Sequence, residues 1–415
     1  MVGWNDLKCE KNSAGNLRFE VVDNANYNIL YGNDAGSNLD GGISNICIGE
    51  IAGNKLTTGN DNVFIGRSAG YRAINSDGNT MISRRAGYEN ENDFNTFIGF
   101  EAGTFSDSSN VSVHIGAKAG ARSEGDDNIF IGYLSGERND QGGDENVAIG
   151  NYTLQQSGNN KAATADSKYN VAVGHNAGKA NDKGYNNVFI GKDAGLLNDG
   201  GNNNTFLGYT AGNDTDEGIF NTFLDGYAGN ISGDYNIAVG SESGSGSNGS
   251  ENVFLGEDSG KFNDGSGNVF IGNEAGWNVP GGPIQNVRNT LVISNNRDEN
   301  LIYGEFDDGF IRVTGSDAWQ MELDNPDPGG SVWKIGSSDD DWIIGGGKFS
   351  INNVGNASNS PFVIDANGNV GIGDVTPTVK LDVDGIIRGP QLICGNVAQC
   401  SDVRFKKDFK SIDNL

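Results

Sequence analysis

Asn187-Val188-Phe189-Ile190-Gly191 is followed one interval later by Asn204-Thr205-Phe206-Leu207-Gly208, and then by Asn221-Thr222-Phe223-Leu224-Asp225. Relaxed within residue classes, this five-residue phrase occurs sixteen times between residues 28 and 293. It begins at 28, 45, 62, 79, 95, 112, 128, 146, 170, 187, 204, 221, 236, 252, 268 and 289. Eleven of the fifteen intervals are 16 or 17 residues, and the widest are 24 and 21. Self-similarity at a fixed period marks an array whose repeats stack on their neighbours. The period is too short for a two-helix repeat or a propeller blade, and fits one coil of a parallel β-solenoid.

The second residue of the phrase is β-branched in every copy, and the fourth is Ile, Leu or Val except at Tyr31. Two residues apart in a strand, these positions share one face, and the third points the other way. The third is Phe in eight copies: Phe64, Phe97, Phe130, Phe189, Phe206, Phe223, Phe254 and Phe270. It is Cys47, Met81, His114, Ala148, Ala172 or Ala238 in others. A strand apolar on both faces must be covered on both. The constant aliphatic positions are expected to fill each coil. The variable Phe row, with His114, is expected to face neighbouring chains in an assembly that shares this apolar face. The fifth position is Gly in thirteen of the first fifteen copies, Ser83 and Asp225 departing. A small residue and a second Gly follow, as in Ala69-Gly70, and only Tyr152-Thr153-Leu154 breaks that glycine. Two glycines per repeat imply two tight bends. Each coil is therefore expected to hold a strand, a corner, a second short strand and a variable turn.

Residues 1–27 precede the array, and their Leu17-Arg18-Phe19-Glu20-Val21 alternation reads as a strand capping the first coil. No Sec-type leader and no run long enough for a membrane helix is visible. The formal net charge of −27 argues against a nucleic-acid partner. Four cysteines (Cys9, Cys47, Cys394, Cys400) are too few for a disulfide framework. Cys47, in the Phe column, reads as a packed thiol, while Cys394 and Cys400 are close enough in sequence for a bridge. His114 and His175 have no metal-ligand spacing to Cys or carboxylates, and no cofactor fingerprint or nucleophile elbow occurs. A calcium roll would need Asp where Gly200-Gly201-Asn202-Asn203-Asn204-Thr205 carries Thr. The recurrent first-position Asn reads as a stacked ladder satisfying itself.

All seven prolines lie beyond residue 279, which divides the chain into an N-terminal segment (1–27), the array (28–279) and a β-rich neck (280–400). Residues 401–415 are basic and less glycine-rich. Ser401-Asp402-Val403-Arg404-Phe405-Lys406-Lys407-Asp408-Phe409 resembles the opening of the intramolecular chaperone auto-processing domain of phage tail spikes and fibres, of the endosialidase kind. Gly368-Asn369-Val370-Gly371-Ile372-Gly373 and Lys380-Leu381-Asp382-Val383-Asp384-Gly385 are similar to phrases that precede that domain. The array resembles the left-handed β-roll heads of trimeric autotransporter adhesins, whose shorter repeats also carry a strand ending in Ile-Gly.

These resemblances imply an all-β homotrimeric fibre, a left-handed β-roll of about 17 residues per coil followed by a neck, with the terminal domain directing trimerisation. They also imply one self-cleavage before Ser401, with Lys406 as the activating base. The chain runs only fifteen residues into such a domain, so cleavage is expected only where the full domain is present, and no other enzymatic activity is expected. The work implied is extracellular adhesion, as the tail fibre of a phage or phage-like contractile injection system. A bacterial surface adhesin is the alternative, and a glycan-cleaving spike the third. Expected partners are two further copies, an attachment or baseplate protein at the amino end, and a cell-surface receptor, a glycan among the candidates. Recognition is expected in the longer turns at 151–169 and 277–288.

Overall fold

The computed structural model describes residues 7–11, 17–21, 26–106, 109–138, 143–155, 167–215, 217–229, 232–279, 282–283, 287–296, 300–307, 309–313, 321–323, 333–337, 349–353 and 362–385. Among them there is no helix. The chain divides into two compact units, Met1–Thr314 and Gly315–Leu415.

The first unit is a parallel β-solenoid. Fifteen three-residue strands, from Ile29–Tyr31 to Val269–Ile271, recur at each phrase. Each pairs in parallel with the next, second position on second and third on third, as Val188↔Thr205, Phe189↔Phe206 and Ile190↔Leu207 do. Even the widest interval keeps register, with Ala148 opposite Ala172. The sixteenth copy is corrected by one residue. Leu291, Val292 and Ile293 pair with Val269, Phe270 and Ile271, and the Thr290 N–H donates to Asn268 Oδ1 at 3.1 Å. Thr290 therefore holds the Asn place. The parallel ladder then ends in two antiparallel strands, Asn300–Glu305 and Phe310–Val313.

The two faces of the strand are reversed from the sequence expectation. All eight Phe rings, with Cys47, Met81 and His114, have no accessible surface within the single chain. The second and fourth residues are only partly buried or exposed, as in Val63–Ile65 and Thr205–Leu207. The physical reason is volume. The coil encloses one inward residue per strand, so the largest side chain goes in, where it stacks on the copies above and below. Phe206 lies 4.8 Å from Phe223 at an interplanar angle of 4° and 5.5 Å from Phe189. Ring-on-ring contact adds to the burial that drives the coil together.

The second short strand is replaced by consecutive tight turns. Ala69 N–H donates to Gly66 O and Ala73 N–H to Gly70 O. Ser68, third residue of the first turn, has φ 59°, as that turn class requires. Every coil repeats this: the residue two beyond the fifth position is non-glycine at positive φ in all fifteen, including Ile51, Tyr152 and Thr210. Such a conformation costs non-glycine residues about 1–2 kcal/mol. Coil-to-coil hydrogen bonds offset it, for example Ser68 N–H to Glu50 O at 2.9 Å.

Both glycine columns have a steric cause. A Cβ on Gly70 would sit 2.6 Å from the Phe64 ring, so the second glycine is the floor on which the phenyl lies. The exception explains itself. Leu154, which breaks this column, sits in the coil whose inward residue is only Ala148, with Ala172 next along the stack. The Leu154 side chain is 5% exposed and packs in one cluster with Ala148, Ala172 and Phe189. It refills the space two phenyl rings would occupy.

A buried polar seam runs beside this apolar core. Asn62 Oδ1 accepts the Asn79 backbone N–H at 3.0 Å, and Asn62 Nδ2 donates to Ser76 O at 2.7 Å. The same pattern joins successive first-position Asn residues, all without accessible surface from Asn45 to Asn268. Ser112 interrupts the row but still accepts the Asn128 N–H at 3.2 Å. Asn62→Leu should therefore cost about 2–5 kcal/mol, because it leaves a buried N–H and a buried carbonyl unpaired. Asn62→Ser should cost clearly less, since it keeps an acceptor as Ser112 does. Denaturant melts of the two variants check the order.

The Leu17–Val21 patch pairs antiparallel with Leu7–Lys11. Among the described pairings it does not cap Ile29–Tyr31, all three of whose residues are exposed. The second unit holds a six-stranded sheet in the order Met321–Leu323, Trp333–Ser337, Phe349–Asn353, Phe362–Ile364, Val370–Ile372 and Leu381–Val383. Its pairs are antiparallel except the last, Val370–Ile372 with Leu381–Val383. The contacts divide at Thr314, later than the shift in composition at Pro280, because Thr290–Ser294 still belongs to the solenoid stack.

Candidate binding surface

With the phenyl row inside, the solenoid presents its β-branched and aliphatic columns outward. Ile129 and Ile237 from the second position, and Ile149, Ile190 and Leu207 from the fourth, are all more than one-third exposed. The fourth column is aliphatic on every strand after the first, and the second carries Val or Ile except at Thr80, Thr96, Thr205 and Thr222, so together they make one mostly apolar stripe. At about 4.8 Å per strand it is about 70 Å long, and about 7–10 Å wide.

The eight Phe residues and His114, expected at the contacts between chains, cannot serve there. A side chain with no accessible surface in one chain has none to offer a second. His114 lies between Phe97 and Phe130, with ring centroids at 4.6 and 5.0 Å. Neither of its ring nitrogens has a hydrogen-bond partner. Burial lowers its pKa to about 3, so the imidazole is neutral and acts as an imperfect phenyl. Cys47 is likewise packed and inert, burial pushing its thiol up to about 12. Ser401 and Lys406 lie outside the described residues, as do Cys394 and Cys400.

A second surface feature follows the corner after each strand. Six consecutive coils each add one residue to a row at this corner: Tyr133, His175, Lys192 and Tyr209 stand one residue beyond the fifth position of the phrase, and Tyr152 and Tyr227 stand two beyond it. Tyr133 meets Tyr152 edge-to-face at 5.4 Å and 87°, and Tyr152 meets His175 at 5.6 Å and 68°. Lys192 Nζ lies 4.9 Å from the centre of the Tyr209 ring, and Tyr209 meets Tyr227 at 5.2 Å and 76°. Tyr133, Tyr209 and Tyr227 are 43%, 46% and 51% exposed.

Polar groups fill the row between the rings. Asn176 Nδ2 donates to Asp193 Oδ1 at 2.8 Å, and Lys192 pairs with Asp193. Partial burial works against ionising Asp193, but hydrogen bonds from Lys192 and Asn176 prevail and hold its carboxyl below the usual value. Its hydrogen bond in turn raises Lys192. Lys192 and Asp193 are thus paired with each other, and Lys179 Nζ, 5.4 Å from the centre of the Tyr152 ring, adds a further cation to the row's donors and acceptors. The sequence reading missed it: an alignment of the repeats by phrase spreads its members over two adjacent columns, Tyr133, His175, Lys192 and Tyr209 in one and Tyr152 with Tyr227 in the next.

Among the described residues no cluster of His, Cys, Asp or Glu could hold a metal ion, and no helix is long and apolar enough to cross a membrane. No protein-family model, no curated protein and no solved structure matches the chain.

Proposed function

We propose that the chain is one subunit of a homotrimeric fibre that works by adhesion to a cell surface, as the tail fibre of a phage or of a phage-like contractile injection system. The apolar stripe is the observation that carries the assembly. At about 500–700 Å² by its length and width, it lies at or above the largest patch a soluble monomer ordinarily exposes, and it approaches the roughly 800 Å² per partner of a standard interface. An identical chain matches its strand spacing rung for rung, and a closed three-fold arrangement leaves no copy uncovered. The motif resemblances in the last hundred residues support the placement of this fibre on a tail.

Sedimentation of the purified chain at micromolar concentration should give a trimer, and the trimer should bind target cells. Ile190→Asp with Leu207→Asp should yield a folded monomer with a near-normal melt, because both side chains point outward in the single chain. A wild-type monomer, or a double variant that remains trimeric, would contradict the interface.

A further inference from the structure

We propose that the corner row Tyr133–Tyr152–His175–Lys192–Tyr209–Tyr227 is a binding track for a linear polysaccharide with an uncharged backbone, one sugar lying along each one or two rungs. This rests on the adhesive reading above and names the receptor chemistry for it.

Three observations carry the inference. The first is translation. The six residues come from six successive coils whose strands pair in parallel register, four at one corner position and two at the next, so the row advances by about one coil spacing of 4.8 Å per residue, or about 24 Å in all. A ligand that engages every step must itself repeat by translation, as a linear polymer does. The second is ring presentation. The three aromatic contacts in the row are edge-to-face, at 87°, 68° and 76°. Elsewhere on the same solenoid Tyr71 and Tyr88 lie flat on one another at 8°. Flat stacking hides a face of both rings, whereas an edge-to-face contact hides a face of one. Lys179 and Lys192 lie over the rings of Tyr152 and Tyr209, and the tyrosine surface left accessible, 43–51% at Tyr133, Tyr209 and Tyr227, suits the C–H face of a pyranose, with little side-chain entropy lost on binding.

The third is the polar filling. Asn176, Asp193 and Lys192 supply both donors and acceptors at the row, which is what sugar hydroxyls require. Lys192 and Asp193 are mutually paired and Lys179 over the Tyr152 ring is a single further cation, so the track carries no dense charge of one sign. On a chain with formal net charge −27, an anionic polymer is disfavoured at longer range. A folded protein partner fits less well, because a track one side chain wide falls short of the area a standard protein interface buries.

The test uses the purified full-length chain and calorimetric titration with cellohexaose, laminarihexaose, chitohexaose and maltohexaose, with a galacturonate hexamer as the charged probe. At least one neutral hexasaccharide should bind, and its disaccharide should bind at least tenfold more weakly because it spans fewer rungs. Tyr209→Ala with Tyr227→Ala should lower the hexasaccharide affinity at least tenfold. Tyr71→Ala with Tyr88→Ala, the stacked pair elsewhere on the solenoid, should leave it within twofold, and melts of both double variants report whether each remains folded. Failure of every neutral hexasaccharide to bind, preference for the galacturonate hexamer, or equal losses in the two tyrosine pairs would each overturn the track. Cell binding by the wild-type chain separates the two levels. If it persists without saccharide binding, the track is wrong and adhesion stands; if it is absent, the adhesive reading itself fails.

Discussion

Replacing Phe206 by Ala should destabilise the array by about 3–5 kcal/mol, and adding Gly212→Leu to that variant should recover much of the loss. Phe206 has no accessible surface, stacks flat on Phe223 and lies tilted against Phe189, so its removal leaves a ring-sized void that neither neighbour can fill. Gly212→Leu alone should also be costly, because its Cβ would lie 2.5 Å from two atoms of the Phe206 ring. Overpacking and a non-glycine residue in the left-handed region each cost about 1–3 kcal/mol. The pair together reproduces what the chain already does at Ala148 and Leu154, where a small inward residue accompanies a leucine at the second glycine position. Leu154 tolerates φ 45° there and keeps its coil hydrogen bond, donating to Ala177 O at 3.0 Å. Melts of the two single variants and the double variant form a cycle, and residues in contact are where additivity fails. Additive losses would show that Leu154 is not a volume replacement.

The stability conferred by the coils around His114 should fall as the pH drops from about 6.5 toward 3. Burial places the folded-state pKa of His114 at about 3, below its ordinary 6.5. Between those values the unfolded chain binds the proton and the folded chain does not. Stability therefore rises with pH across the window and is lost as the pH falls through it. Each pKa unit corresponds to about 1.4 kcal/mol, so the ceiling is about 5 kcal/mol at the acid end. The carboxylates of an acidic chain titrate over the same range, which makes the difference between wild type and His114→Phe the quantity to measure. That variant should be more stable by about 1–3 kcal/mol at pH 7.5, since it removes two buried nitrogens without partners. Its advantage should widen as the pH falls to 4. Hydrogen exchange in the coils that hold Phe97, His114 and Phe130 reports the local effect, as stacked repeats can open without global unfolding. An advantage that does not change with pH would mean that His114 is protonated inside the stack.

The solenoid itself was legible without coordinates, because its cause is periodic. A phrase of constant spacing, a fixed Asn and fixed glycines demand that each coil meet the next in register, and intervals of 24 residues only lengthen a turn. The Asn ladder followed by the same logic, since a buried amide repeated at one position can be satisfied by its own copies. The direction of the strand faces could not be read this way. Alternation says that Phe64 and Ile65 point oppositely, but both are apolar, and hydropathy alone does not tell in from out. Enclosure settles it: one inward residue per strand, floored by a glycine with φ 56° at Gly70, leaves room for a ring that stacks on its neighbours. The last strand slipped by one residue for a related reason. Asn289 and Thr290 are both credible as the first position, and only the hydrogen bond from the Thr290 N–H to Asn268 chooses between them. The corner row was hidden most completely. Its members lie 17 to 23 residues apart in sequence, occupy two adjacent positions of the repeat and belong to different residue classes, and only stacking of the coils brings tyrosine, histidine and lysine together. The sequence thus determined the repeat and its buried hydrogen bonds, which arise from each coil's relation to an identical coil. The tertiary structure decided the inside, the outside and the neighbours across coils, which depend on the volume the turns enclose.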